Sequence, residues 1–205
     1  MKIDSSTCWY NDDVCPEQMI QGAKGLIWPV LEKSDHFPIL DSLIQIINDD
    51  CTSLLDIGCG AAEISRIYPQ YFYVGADLKN IIQNVSTRVH PEKRYVVFDI
   101  YNDECEFISD YDIIVMNAFI DVLEFPIFGL ETVLKHANRY VVLHRQEVDS
   151  QQTRIIKNPS YGGVSYHSII NKISFDYILN KHSFEIVKQL PVFNNSKSYL
   201  LRKVI

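Results

Sequence analysis

Apolar residues recur along this chain in two rhythms, and their alternation predicts most of an architecture. Short β-compatible runs stand at 53–57, 71–76, 94–98, 112–116 and 140–143, and two more close the chain at 184–189 and 198–202. Helical spacing fills the gaps. Ile39, Leu40, Leu43, Ile44 and Ile47 recur at helix period after Pro38, a residue suited to a first helical turn. Further helical patterns cover 61–68, Ile81 to Val85, a short turn near 104–108, 121–137 with a break at Pro126, and 172–182. Strand and helix in alternation, with a hairpin-like last pair, predict an α/β fold: a doubly wound, mostly parallel seven-stranded sheet with helices on both faces. Residues 38–205 form that domain in this reading, and residues 1–37, interrupted at Pro29, form a helical lid segment over the sheet's ligand edge. The long stretch from Gln146 to Asn171 reads as a loop. A connection that long is functional more often than idle, and Tyr161, Tyr166 and His167 around Gly162-Gly163 make it a candidate lid over a bound acceptor.

The first strand runs into the most informative stretch, Ser-Leu-Leu-Asp-Ile-Gly-Cys-Gly-Ala-Ala-Glu at 53–63. A strand, a glycine turn and a helix let a ligand lie against backbone without Cβ atoms and aim free amides at it. The second strand ends on Asp77, about twenty residues beyond Asp56. An acid at that tip accepts the hydroxyls of a ribose.

The turn also discriminates between nucleotide cofactors. Dinucleotide sites ask for G-x-G-x-x-G, and the third glycine position counted from Gly58 is Glu63, a carboxylate where a pyrophosphate would lie. That disfavours NAD and FAD. A ligand with one ribose and a zwitterionic tail tolerates it. Leu-Asp-Ile-Gly-Cys-Gly-Ala-Ala, with Gly-Ala-Asp77 closing the next strand, resembles the class I S-adenosylmethionine-dependent methyltransferases, with Ala62 in place of the third glycine of that family's motif.

The resemblance implies a Rossmann-like methyltransferase fold, an S-adenosylmethionine cofactor, an S-adenosylhomocysteine product, and a set of cofactor contacts. Asp56 and the Gly58-Cys59-Gly60 turn would meet the methionine, Asp77 and Leu78 the ribose, Asp99 and Ile100 the adenine, and Asn117 the methionine end. Asp99 has a second reading as a turn cap, since Asp103 follows it. Cys59 has a second reading as a nucleophile, against which it simply fills the turn.

Methyl transfer from a sulfonium needs chiefly in-line alignment, with a base where the acceptor loses a proton. His167 and His144 are the candidate bases, and Tyr161, Tyr166 and Arg145 the candidate acceptor contacts. His144 has the alternative of capping or packing at its strand end. The chain lacks the Asn/Asp-Pro-Pro-aromatic motif of base-amino methylation, the cysteine of cytosine-C5 methylation and the paired-glutamate loop of arginine methylation. Asn117 stands where a metal-assisted site would carry a carboxylate, so no metal is expected. What remains is an oxygen or nitrogen of a small molecule, sugar-containing acceptors and secondary metabolites included. The alternatives are a catalytically inactive nucleoside-binding module and a nicotinamide oxidoreductase.

Composition narrows the partners. The 205 residues carry a net charge of −7 and no basic run, which disfavours nucleic acid. Polar residues follow Met1-Lys2, and no apolar stretch approaches the roughly 18 residues of a membrane span, so the chain reads as cytoplasmic. Five cysteines without a C-x-x-C pair predict neither a disulfide framework nor a zinc site.

Overall fold

The computed structural model describes residues 9, 15–47, 50–160 and 163–204. Its strands are β1 (Ser53–Ile57), β2 (Phe72–Asp77), β3 (Arg94–Val97), β4 (Ile113–Asn117), β5 (Tyr140–Asp149), β6 (Arg154–Ser160), β7 (Gly163–Asn171), β8 (Phe184–Pro191) and β9 (Ser196–Lys203). The first five pair in the order β3-β2-β1-β4-β5, all parallel. β9 then pairs antiparallel with β5, and β8 antiparallel with β9. The doubly wound sheet expected from the sequence is present, with the reversed strand inserted next to β5.

Helices cover both faces. Leu55, Ile57, Ile114, Met116, Val141 and Leu143 face α6 (Pro126–His136) and α7 (Lys172–Lys181), while Leu54, Ile113, Val115 and Val142 face α2 (Phe37–Ile44). These strands are buried on both sides, which is why they read as unbroken apolar runs. Each such side chain contributes roughly 1.5–3 kcal/mol through burial. Pro126 opens α6, because its missing N–H is not needed in a first turn, and the Asn171 side chain caps α7 by accepting from Ser174 N at 3.1 Å. A short helix α3 (Ile64–Ile67) follows the glycine turn. After β2, α4 (Lys79–Ile81) runs through a π-helical stretch (Ile82–Ser86) into α5 (Thr87–Val89).

One expectation fails. The stretch from 146 to 171 is not a loop: β5 continues to Asp149, and β6 and β7 form an antiparallel hairpin, so the sheet has nine strands. β4 ends at Asn117, opposite His144. Beyond that point β7 takes β4's place alongside β5, with Glu147, Val148 and Asp149 opposite Ile169, Ile170 and Asn171. The changeover occurs at Arg145, whose φ of 68° breaks β5 and shifts its register with β9 between Leu143 and Gln146. The hairpin is fixed to the rest of the chain by the Ser168 hydroxyl, which donates to the Leu123 carbonyl.

At the opposite sheet edge, Asp112 accepts from Thr52 N at 2.8 Å and Ser53 N at 3.1 Å and pairs with Arg139 at 3.1 Å. That end is tied down, and the other is left open. Because Leu143 lies in the strand that bonds β4 and β9 and is 1% exposed, Leu143→Ala should cost about 2–5 kcal/mol in urea denaturation. A loss below about 1 kcal/mol would show that β5 is not the structural centre.

Candidate functional site

Beyond the C-terminal tips of β1, β2, β4 and β5 lies a cleft of about 600 Å³. The glycine turn is its floor. Gly58 (φ 73°) and Gly60 (φ 51°) are left-handed, and a Cβ on Gly58 would stand 2.5 Å from the Phe119 ring. Gly58 N donates to Ala76 O at 2.8 Å, and Gly60 N donates to Asp77 Oδ2, also at 2.8 Å. Asp77 Oδ1 accepts from Leu78 N at 2.8 Å, so one carboxylate braces the turn against the start of the next helix. Burial raises the Asp77 pKa to about 6.

Three non-glycine residues at these tips also adopt left-handed backbone: Ala62 after β1, Ala118 after β4 and Arg145 in β5. Such conformations cost on the order of 1–3 kcal/mol each and cluster where a site demands them. Ala62 holds its φ of 57° at the position where the resembled motif has glycine, so the backbone shape survives the substitution under strain.

Most of the residues expected to meet a cofactor come together here. Gly58, Cys59, Gly60, Asp77, Leu78, Asp99, Ile100 and Asn117 all line the cleft. Asp56 does not. It is 2% exposed behind the turn, accepts from the Tyr73 hydroxyl at 2.9 Å, and has its pKa raised by burial to about 7. Asp99 spends its carboxylate locally, accepting from Tyr101 N at 3.0 Å and from the Asn102 amide at 2.8 Å, the turn-cap arrangement. The Cys59 thiol faces Ser86 Oγ at 3.8 Å, and burial holds it protonated well above its ordinary pKa, unsuited to nucleophilic work. Asn117 leaves its buried Oδ1 without a hydrogen-bond partner among the described residues.

The acceptor and acid/base candidates separate. Arg145 lines the cleft, and its buried Nε has no partner among the described residues. His167 and Tyr166 lie behind the wall made by 122–124: His167 Nε2 contacts Glu147 at 3.3 Å, and Tyr166, 4% exposed, bonds Glu124. Neither is among the residues lining the cleft. Tyr161 lies outside the described residues. His144 is 1% exposed, yet it reaches the cleft through a neighbour that the sequence did not suggest: its Nε2 is 3.0 Å from Nδ1 of His36, which lines the cleft. Its own Nδ1 is 2.6 Å from Ser198 Oγ. No spacing signals this trio, whose members come from the segment before α2, from β5 and from β9.

The N-terminal segment also contributes to the cleft. Trp9, Met19, Trp28, Leu31, Asp35 and His36 line it. The segment is anchored by Leu31 N, which donates to Glu63 Oε1 at 2.9 Å, and by an Arg66–Glu32 ion pair. Glu63, the residue that breaks the dinucleotide fingerprint, thus anchors that segment. Asp35, Glu63, Asp77, Asp99 and Glu124 line the cleft against one permanent cation, Arg145. That field favours a cationic ligand over a pyrophosphate, by about 1 kcal/mol per pair at 4 Å in water and more where water is excluded. Among the described residues no three His, Cys, Asp or Glu are grouped to hold a metal, and no helix is long and apolar enough to cross a membrane.

No protein-family profile and no curated protein matches this chain in sequence. Solved structures do match its shape. CalS10, an amino pentose methyltransferase from Micromonospora echinaspora solved with S-adenosylmethionine, superposes with a TM-score of 0.61 at 12% identity, over 84% of this chain and 92% of that one. Magnesium protoporphyrin IX methyltransferase from Synechocystis PCC 6803, also with S-adenosylmethionine, gives 0.56 at 13% identity, over 82% and 77%. The N-terminal domain of EvdMO1, solved with S-adenosylhomocysteine and D-fucose, gives 0.58 at 11%, over 83% and 84%. The chain therefore has the fold of the class I S-adenosylmethionine-dependent methyltransferases.

The buried carboxyls make stability depend on pH. An aspartate whose folded pKa lies above its unfolded value favours the fold fully below about pH 4, and that contribution is lost as pH rises towards 7. With Asp56 at about 7, unfolding free energy should fall by a few kcal/mol between pH 4 and 8, because each pH unit separating the folded and unfolded pKa values is worth roughly 1.4 kcal/mol. Asp56→Asn should make the decline shallower in urea titrations, leaving the shares of Asp77 and Asp121, whose burial raises each to about 6. An equal decline in the variant would place its cause elsewhere.

Proposed function

We propose that this chain, built on that fold, transfers the methyl group of S-adenosylmethionine to an oxygen or nitrogen of a small-molecule acceptor and releases S-adenosylhomocysteine. The observation that carries the reading is the Gly60–Asp77 hydrogen bond at the floor of a cleft lined mostly by carboxylates. In this reading the ribose hydroxyls donate to the free lone pairs of Asp77, and the methionine lies over Gly58 to Gly60 with its ammonium towards the unpartnered Asn117 Oδ1. The adenine packs between Leu78 and Ile100, where the Asp99 turn presents backbone to the ring edge. Sulfonium and ammonium both gain from the surplus of carboxylates.

Binding leaves the wider part of the cleft, around Trp28, His36, Arg145 and Phe193, for the acceptor. Residues up to 37 act as the lid on a catalytic domain of 38–205, in the cytoplasm, with sugars and secondary metabolites as the acceptor types to test first. Chemistry then requires in-line approach of the acceptor at about 3 Å from the methyl carbon, with water excluded by the lid. His167, Tyr166 and Asp121 would act from behind the wall, on the orientation of Arg145 and Glu124.

Calorimetry should detect S-adenosylhomocysteine binding, and Asp77→Ala should weaken it at least about tenfold, since two charge-assisted bonds of about 1.5–3 kcal/mol each are at stake. Gly58→Ala should weaken it too, because the new Cβ meets Phe119 at 2.5 Å in a left-handed residue. Unchanged affinity in both folded variants would refute the cofactor assignment. Turnover with a found acceptor should survive EDTA, given Asn117 at the β4 tip. Loss on chelation, restored by magnesium, would contradict that.

A further inference from the structure

The trio of His36, His144 and Ser198 has no role in the cofactor reading, and its geometry is that of a positioned base. His36 Nδ1 is 3.0 Å from His144 Nε2, and His144 Nδ1 is 2.6 Å from Ser198 Oγ. His36 Nε2 has no protein partner among the described residues, and the residue lines the cleft. His144 stands opposite Asn117 in the β4–β5 register, so the trio lies beside the strand tip that carries the methionine end of the proposed cofactor site.

We propose that His36 is the general base for methyl transfer to a hydroxyl group, with His144 and Ser198 as the residues that position it. This rests on the methyltransferase reading and deepens it, choosing oxygen over nitrogen. In one proton arrangement His36 Nδ1–H donates to His144 Nε2 and His144 Nδ1–H donates to Ser198 Oγ, which leaves a lone pair on His36 Nε2. The reverse arrangement would put an N–H there. Arg145, the permanent cation of the same cleft, favours the lone pair.

The charge state agrees. Burial and the Arg145 charge lower the His36 pKa to about 4 against the opposing pull of Asp35, and burial, Arg145 and His36 lower that of His144 to about 2. Both rings are neutral at pH 7. The bond from sulfur to the methyl carbon breaks with its electron pair kept by sulfur. A hydroxyl lone pair bonds the carbon, and the hydroxyl proton passes to His36 Nε2. The imidazolium so formed is held by His144 Nε2 and Asp35, and the lower proton affinity of buried His144 keeps the charge on His36. A hydroxyl becomes strongly acidic as it bonds the methyl, so a weak base suffices. An alkylammonium acceptor would have to lose its proton before attack, to a weak base and beside the Arg145 cation.

Two measurements test this. Two-bond proton–nitrogen NMR of histidine-labelled protein saturated with S-adenosylhomocysteine should show His36 neutral at pH 7, with its proton on Nδ1. A proton on Nε2, or an imidazolium, overturns the proposal whether or not an acceptor is known. Acceptor pairs differing only in hydroxyl against amine (phenol and aniline glycosides, sugars and their amino counterparts) should be turned over as the hydroxyl member. His36→Gln should then lose about 10²- to 10⁴-fold in turnover with S-adenosylhomocysteine affinity within threefold. His144→Gln should lose less and move the acid limb of the pH profile. Turnover of the amine members alone, or parental turnover by His36→Gln, overturns the base assignment and leaves the methyltransferase reading standing. Absence of S-adenosylhomocysteine binding in the parent protein overturns both.

Discussion

A carboxylate half-sealed in protein has to be given donors, and at Asp77 the donors are backbone. Gly60 N–H and Leu78 N–H converge on its two oxygens at 2.8 Å, and through them the end of β2 fixes the turn that follows β1. A side chain at Gly60 would strain this arrangement, because that residue holds left-handed backbone. The cleft inherits its floor from this one arrangement. The N-terminal segment depends on it at one remove, since Glu63, just past the turn, receives Leu31 N–H.

The two edges of the sheet divide their duties. At one, Asp112 is satisfied by Thr52, Ser53 and Arg139, and its pKa is drawn down to about 2. At the other, Ala62, Ala118 and Arg145 hold strained backbone, Asn117 Oδ1 and Arg145 Nε lack partners, and the Asp77 and Asp121 pKa values are pushed up by burial to about 6. Strain and unpartnered polar groups are thus collected at the end of the sheet where the cleft opens. Arg145 joins the two duties: its left-handed break ends the pairing with β4, lets β7 in beside β5, and brings the guanidinium to the cleft while His144 stays beneath.

What was legible in the sequence was local. Leu54 to Ile57, Ile113 to Met116 and Val141 to Leu143 read as buried parallel strands because both faces are covered, and the glycine turn with Asp77 is a short-range signature. The β6–β7 hairpin was hidden because it is half solvated: Ile155, Ile156 and Val164 are more than 40% exposed, and Pro159 and Gly162-Gly163 read as loop residues. Tyr166 and His167 therefore read as lid residues, whereas strand alternation sends them to opposite faces of β7, Tyr166 to Glu124 and His167 to Glu147. His36 gave no signal at all. Its partner is 108 residues away, and only the folding of the segment before α2 onto β5 brings the two rings together.

The methyltransferase reading requires the floor of the cleft to be a nucleoside site whose other end holds the methyl acceptor. A crystal structure of the protein soaked in S-adenosylhomocysteine tests it most directly. Ribose hydroxyls on the Asp77 carboxylate, the adenine between Leu78 and Ile100, and the sulfur turned towards His36 are the expected result. A nucleoside bound elsewhere, or one whose ribose does not touch Asp77, would contradict it.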